Sequence, residues 1–208
     1  MLDTSSNERI DDQTPTSIIQ LFLTPYLEFS LMVGSKDDTL LDIACGNCFQ
    51  KNILISRFLQ VTLVDKDIPD LPEYELDNFK QLDIEKVNRL PFSDSQFDWV
   101  FSFETIEHLD GTKQRWFVSE LLRVGKNVIV GSVSVNGPNY INGDLIFKKA
   151  TGTNSFHKKE FTSWEWKKFF DSYGHKDMVK ISYFHNDGRF IRLGLNDEFG
   201  FCNYVMMS

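Results

Sequence analysis

Two hydrophobic periods alternate along the chain. Residues 1–14 are polar and acidic and read as a loose lead-in. Pro15 then sits at a helix start, and a mostly apolar helix is predicted to run to about Val33, where Gly34 stops it. Residues 39–44 form a short apolar run ending Asp42-Ile43-Ala44, which reads as a buried strand; Phe49, Ile53, Leu54 and Phe58 follow at helical spacing. Residues 61–64 are a second apolar run ending in Asp65. The stretch from Lys66 to Glu75 is rich in Asp and Pro and predicts a loop with at most a short helix, and a further strand is placed at residues 80–82.

The second half continues the alternation. Residues 97–103 are aromatic and β-favouring, followed by an acidic helix start near Glu104, a longer helix over about residues 113–123 and a buried strand at residues 128–130. Residues 132–160 are rich in Gly and Asn and read as a long excursion of the kind that carries substrate contacts, with residues 136–160 as its substrate-side part. Thr162 and Glu165 have the spacing of a capping box. Trp166, Phe169, Phe170 and Tyr173 then mark one helix face before Gly174, a suitable C-terminal cap. The tail offers two strands, residues 178–184 and 201–206, free to pair antiparallel. Strand and helix in alternation imply an α/β fold with a mostly parallel sheet covered on both faces, whose ligands bind at the carboxyl ends of the strands.

Composition narrows the classes. With 208 residues, 41% hydrophobic and 25% charged, the chain has the size of one domain and can bury a core without disulfides or metals, so residues 15–208 are taken as a single domain. The net charge of −8 is uneven. Residues 1–120 hold 10 Lys and Arg against 22 Asp and Glu, a balance of −12, whereas residues 121–208 hold 12 against 8, a balance of +4. An overall acidic chain argues against a general nucleic-acid or anionic-membrane binder. The longest lipophilic stretch, residues 21–33, is broken by Pro25 and Glu28 and is too short to span a bilayer, and no secretory signal precedes it. Three cysteines are a poor disulfide framework, so the expected compartment is the cytoplasm.

Cys45-Gly46-Asn47-Cys48 follows the first strand directly, placing a Gly where backbone can approach a ligand. Asp65 lies 19 residues beyond Gly46, the separation at which such folds offer a carboxylate to both hydroxyls of a ribose; a turn residue is the alternative. The same four residues also read as Cys-x-x-Cys redox chemistry, although a zinc site would need two more ligands that the spacing does not supply, so no metal site is assigned.

Residues 41–48 (Leu-Asp-Ile-Ala-Cys-Gly-Asn-Cys), the strand-end Asp65, Leu82-Asp83-Ile84, residues 90–100 with Leu-Pro-Phe feeding Phe-Asp-Trp-Val, and Glu107-His108-Leu109 together resemble the class I S-adenosylmethionine-dependent methyltransferases over roughly residues 38–185. The resemblance implies a Rossmann-like, doubly wound, mostly parallel seven-stranded sheet with an antiparallel C-terminal strand, and S-adenosyl-L-methionine as cofactor. By the same resemblance Asp42 and the backbone of Ala44, Cys45 and Gly46 would hold the methionine end. Asp65, with Lys66 beside it, would serve the ribose; Asp83 would take the adenine amino group with Ile84 beside the ring, and Phe103 and Glu104 would line the pocket. Ala44 and Cys48 stand where the family usually has glycine.

Methyl transfer is a direct displacement, so alignment matters most and a general base is added when the acceptor is a hydroxyl or protonated amine. His108 is the first candidate base, with a packing role as its alternative, and His157 is the second. Tyr140 and Asn142 are candidate acceptor contacts, and the pairs Lys148-Lys149 and Lys158-Lys159 leave an anionic acceptor open. The expected activity is methylation of a small-molecule acceptor, oxygen favoured. The rivals are a cofactor-binding protein without turnover and a nicotinamide enzyme, whose phosphate loop would want three glycines where this chain has one.

Overall fold

The computed structural model describes residues 16–135, 138–141, 144–147, 157–173, 179–186, 189–193 and 202–208. The chain divides into two compact units, Met1–Val87 and Asn88–Ser208.

The first unit opens with α1 (Thr16–Val33), which ends where the Gly34 N–H donates to Ser30 O at 2.9 Å. A Cβ at Gly34 would lie 2.4 Å from Ser30 O, so the turn needs glycine. The strands β1 (Thr39–Ile43), β2 (Gln60–Asp65) and β3 (Phe79–Gln81) are parallel, in the order β3-β2-β1. Leu40, Leu41, Ile43, Val61, Leu63 and Val64 are all buried, which is why β1 and β2 read as unbroken apolar runs instead of alternating ones. The helix expected over residues 49–58 is shorter than its spacing suggests: α2 covers only Lys51–Ile55. Leu59 N–H donates to Asp38 O at 2.8 Å and pulls the chain out of the helical path; Phe58 stays buried while Phe49 is left 39% exposed. One 3₁₀ turn, Glu73–Glu75, lies in the Asp- and Pro-rich connection before β3.

The second unit is built on β4 (Phe97–Phe103) and β5 (Gly125–Val133), which pair in parallel and are connected by α3 (Gly111–Val124). Asp110 caps α3, its Oδ1 accepting from Lys113 N at 2.9 Å. Arg123 and Glu120 on α3 hold the Leu-Pro-Phe stretch: Arg123 donates to Leu90 O and Phe92 O, and Glu120 Oε2 accepts from Leu90 N at 2.7 Å. The segment β6 (Pro138–Ile141) with β7 (Asp144–Phe147) forms a separate antiparallel ribbon. The predicted capping box is present: Thr162 and Glu165 exchange side-chain and backbone bonds at the start of α4 (Ser163–Asp171), which ends at Ser172, while Gly174 lies outside the described residues.

The tail strands are β8 (Val179–Asn186), β9 (Arg189–Leu193) and β10 (Cys202–Met207). β10 lies antiparallel to both β5 and β8, and β9 pairs antiparallel with β8, giving the order β4-β5-β10-β8-β9. The α/β, Rossmann-like, mostly parallel character is as expected. The strand count differs, with three in the first unit and five in the second where seven were expected; the addition is β9, whose five residues, Arg-Phe-Ile-Arg-Leu, give no clean alternation. The acidic helix start near Glu104 is also corrected: Glu104 has φ 53°, and only a 3₁₀ turn, Ile106–His108, follows. Among the described residues no helix is long and apolar enough to cross a membrane.

Candidate functional site

In the first unit the loop after β1 is shaped by three left-handed residues, Ala44 (φ 62°), Gly46 (φ 60°) and Cys48 (φ 61°). Ala44 and Cys48, the two departures from the family's glycines, thus keep the backbone path that glycine would take freely, at a cost of roughly 1–2 kcal/mol each. The loop is held from several directions. Cys45 N–H donates to Val64 O (3.0 Å), Gly46 N–H to Asp65 Oδ2 (2.8 Å), and Gln50 Nε2 to both Cys45 O (2.9 Å) and Asp42 Oδ2 (2.6 Å).

Asp42 is completely buried, and burial pushes its pKa up to about 7, against the opposing pull of bonds from Gln50 and Tyr26. Its carboxyl supports the loop from beneath. Asp65 accepts from Gly46 N–H through Oδ2 and from Asp67 N–H through Oδ1 at 3.1 Å. Lys66 is exposed. Asp83 is partly exposed, its carboxyl held below the usual range chiefly by Lys86, while Ile84 is buried. Cys45 Sγ and Cys48 Sγ lie 3.4 Å apart; the hydrogen bond between them, with burial, raises the Cys45 pKa far above that of an ordinary thiol. A thiol kept protonated is a poor nucleophile, which opposes the redox alternative.

In the second unit, the site forms around the turn after β4. Phe103 packs against Phe101 and Tyr204 in the core (centroids 5.4 Å in each case), so its side chain is a packing element. Tyr204 lies across Gly131, where a Cβ would come 2.2 Å from the ring. Beyond Phe103, Glu107 is completely buried. Its Oε2 accepts from Ser132 Oγ at 3.0 Å, and its Oε1 is buried without a hydrogen-bond partner. Burial, and then the neighbouring Glu104, raise the Glu107 pKa well above the usual carboxyl value. The two histidine candidates come together, with ring centroids 4.8 Å apart and edge to face. One ligand atom from each of Glu107, His108 and His157 lies within 4.8 Å of the others.

Two imidazoles and a buried carboxyl are donors for a first-row divalent cation with coordination positions left open, and the donor set fits. A cation would replace the proton that crowding favours on Glu107 and would meet its unpaired Oε1. Glu107 was quoted in the Glu-His-Leu motif with no role attached, and the constellation is invisible to spacing because 49 residues separate its histidines. Glu160 was also missed; the signal for it is the i, i+3 spacing from His157. Tyr140 lies on β6, nothing is described of its side chain, and Asn142, Lys148 and Lys149 lie outside the described residues. Lys159 pairs with Glu165 and is thereby taken from the proposed anion contacts.

Residues 41–128 match the family model described as a methyltransferase domain. No curated protein matches the chain. Among solved structures, a SAM-dependent methyltransferase from Archaeoglobus fulgidus is similar at TM-score 0.63 and 15% identity, over 90% of this chain and 93% of that one. The methyltransferase domain of a bacterial Hen1, CtHen1, is similar at TM-score 0.60 and 20% identity, over 92% and 99%. The small RNA methyltransferase HEN1 is similar at TM-score 0.64 and 14% identity, over 97% of this chain and 26% of that one. The model thus matches part of the chain, and the fold is that of solved SAM-dependent methyltransferases.

Proposed function

We propose that this chain is an S-adenosylmethionine-dependent O-methyltransferase whose acceptor is a small molecule presenting a hydroxyl to a divalent cation held by Glu107, His108 and His157. The observation that carries this is the completely buried Glu107, its Oε1 unpaired, converging with two imidazoles at the carboxyl end of β4. A cation bound there supplies Lewis acidity, lowering the pKa of a coordinated hydroxyl and fixing its oxygen. The chain's own residues do the rest. Ser132 holds one oxygen of the Glu107 carboxyl, which is itself completely buried. Donor-side residues lie in the first unit: the loop backbone at Ala44, Cys45 and Gly46 for the methionine end, and Asp65, Asp83 and Ile84 for the ribose and adenine. The displacement breaks the S–CH₃ bond as the O–CH₃ bond forms, leaving S-adenosylhomocysteine and one proton.

His108 and His157 thus become ligands rather than general bases. The loop's retained left-handed shape supports cofactor binding, which both an enzyme and a binding protein without turnover require. A second acceptor is favoured by the likeness to the small RNA methyltransferase over 97% of this chain: a ribose hydroxyl of an RNA strand. Transfer of labelled methyl from S-adenosylmethionine should be measured with a catechol and with a short RNA, before and after chelation and after adding back Mn²⁺, Co²⁺, Zn²⁺ or Mg²⁺. Activity that chelation removes and one of these ions restores is the expected result. Full activity in the chelated, dialysed protein would overturn the cation, and transfer to RNA alone would replace the small-molecule acceptor.

A further inference from the structure

We infer that Glu160 is a positioning residue that fixes the His157 ring in the tautomer carrying its proton on Nδ1, leaving Nε2 as the nitrogen offered to the cation. The inference rests on the cation reading above for its purpose, though not for its geometry.

The Glu160 Oε1 and His157 Nδ1 atoms are 2.6 Å apart, with side-chain exposures of only 1% and 9%. The contact puts one hydrogen between Glu160 Oε1 and His157 Nδ1; with the carboxyl ionised and the ring neutral, that hydrogen belongs to Nδ1. Nε2 is then the atom with a lone pair. A carboxylate behind the ring also makes that lone pair a better donor, and such partners influence metal affinity by about 10- to 100-fold.

The backbone around the pair is anchored, so the ring is located as well as oriented. Lys158 N–H and Lys159 N–H both donate to Glu107 O, at 2.8 and 3.0 Å, which fastens the segment between His157 and Glu160 to the residue that supplies the buried carboxyl. Beyond Glu160, Phe161 bridges Ser134 in parallel. Its carbonyl accepts from Val135 N–H (3.2 Å) and Asn203 Nδ2 (3.3 Å). The histidine that sequence places far from the others is therefore held by the chain's own backbone on one side and by Glu160 on the other.

Two readings test this on the folded, full-length chain. Nitrogen NMR of His157 in chelated protein reports the tautomer directly, and Co²⁺ or Mn²⁺ titration by absorption or EPR reports affinity. In the wild type the proton is expected on Nδ1. In Glu160→Gln the amide oxygen still accepts, so the tautomer is kept and affinity falls less than 10-fold. In Glu160→Ala the tautomer is released and affinity falls 10- to 100-fold, with the far-ultraviolet spectrum unchanged. A wild-type ring protonated on Nε2 overturns the inference without any variant, and equal cation affinity in wild type and Glu160→Ala also overturns it while leaving the cation reading intact. A wild type that binds no cation yet holds the Nδ1–H tautomer overturns the cation reading and leaves the positioning role standing.

Discussion

The loop after β1 and the turn after β4 are built on one plan and satisfied in opposite ways. Each follows a buried parallel strand and bends through left-handed backbone, at Ala44, Gly46 and Cys48 in one and at Glu104 in the other. In the first, carboxylates serve the protein: Asp65 accepts two backbone N–H groups, and Asp42 is stabilised by Gln50 and Tyr26. In the second, Glu107 accepts one hydroxyl, and its other oxygen is buried with no partner. A carboxyl bonded on both oxygens is fixed by its own surroundings, whereas a buried one with an unbonded oxygen is costly to hold in its charged form.

The largest effect should come from breaking the second region. Glu107→Gln and His108→Ala are each expected to lower methyl transfer by 100-fold or more, measured as kcat/KM with saturating cation. Glu107→Gln should fold at least as stably near neutral pH, because it removes a buried group whose charged form is disfavoured. Unchanged turnover in both variants would make the two regions alike. Cation present at 100 times its Kd should stabilise by about 2.7 kcal/mol, which for a domain of this size raises Tm by roughly 5–10 °C. The expected check is a melt with and without chelator.

Removing the ribose carboxylate should matter at a similar scale. Asp65→Ala should weaken S-adenosylmethionine binding by calorimetry about 10- to 100-fold, the value of one or two bonds to a charged group. An unchanged Kd would remove Asp65 from the cofactor site.

Asp42 gives a sharper contrast through pH. Its folded pKa of about 7 lies above the ordinary 3.8, so the folded protein holds the proton more tightly; this contribution to stability is complete below pH 4 and is lost as pH rises through 7. Its span is about 4 kcal/mol at most. Asp42→Asn should flatten the decline in stability between pH 4 and 7 in denaturant titrations, and an identical pH profile would contradict the assignment. The smallest effect is local: Ala44→Gly relieves a left-handed non-glycine residue and should stabilise by about 0.5–1 kcal/mol by the same measurement, with cofactor affinity kept.

Much of the first region was legible because its information is local. The apolar run of β1, the Gly46 turn and Asp65 at the end of β2 lie within 27 residues, and period and punctuation mark them. The capping box of α4 was readable for the same reason, since both partners lie within one turn. The helix predicted over residues 49–58 was too long because Asp38, outside that window, supplies the acceptor that ends it. The contact between Phe103 and Tyr204 was not legible, because the two lie about a century of residues apart along the chain.

The sequence by itself determined the alternation of strands and helices, the strand-end residues and the family they resemble, since these depend on periodicity and on side chains near one another along the chain. Only the tertiary structure brought the two histidines together. His108 and His157 meet because the segment carrying His157 is fastened by its N–H groups to the Glu107 carbonyl, a bond between backbone atoms to which side-chain identity gives no clue. Burial of Glu107 is likewise a property of packing, and burial is what raises its pKa well above that of an ordinary carboxyl.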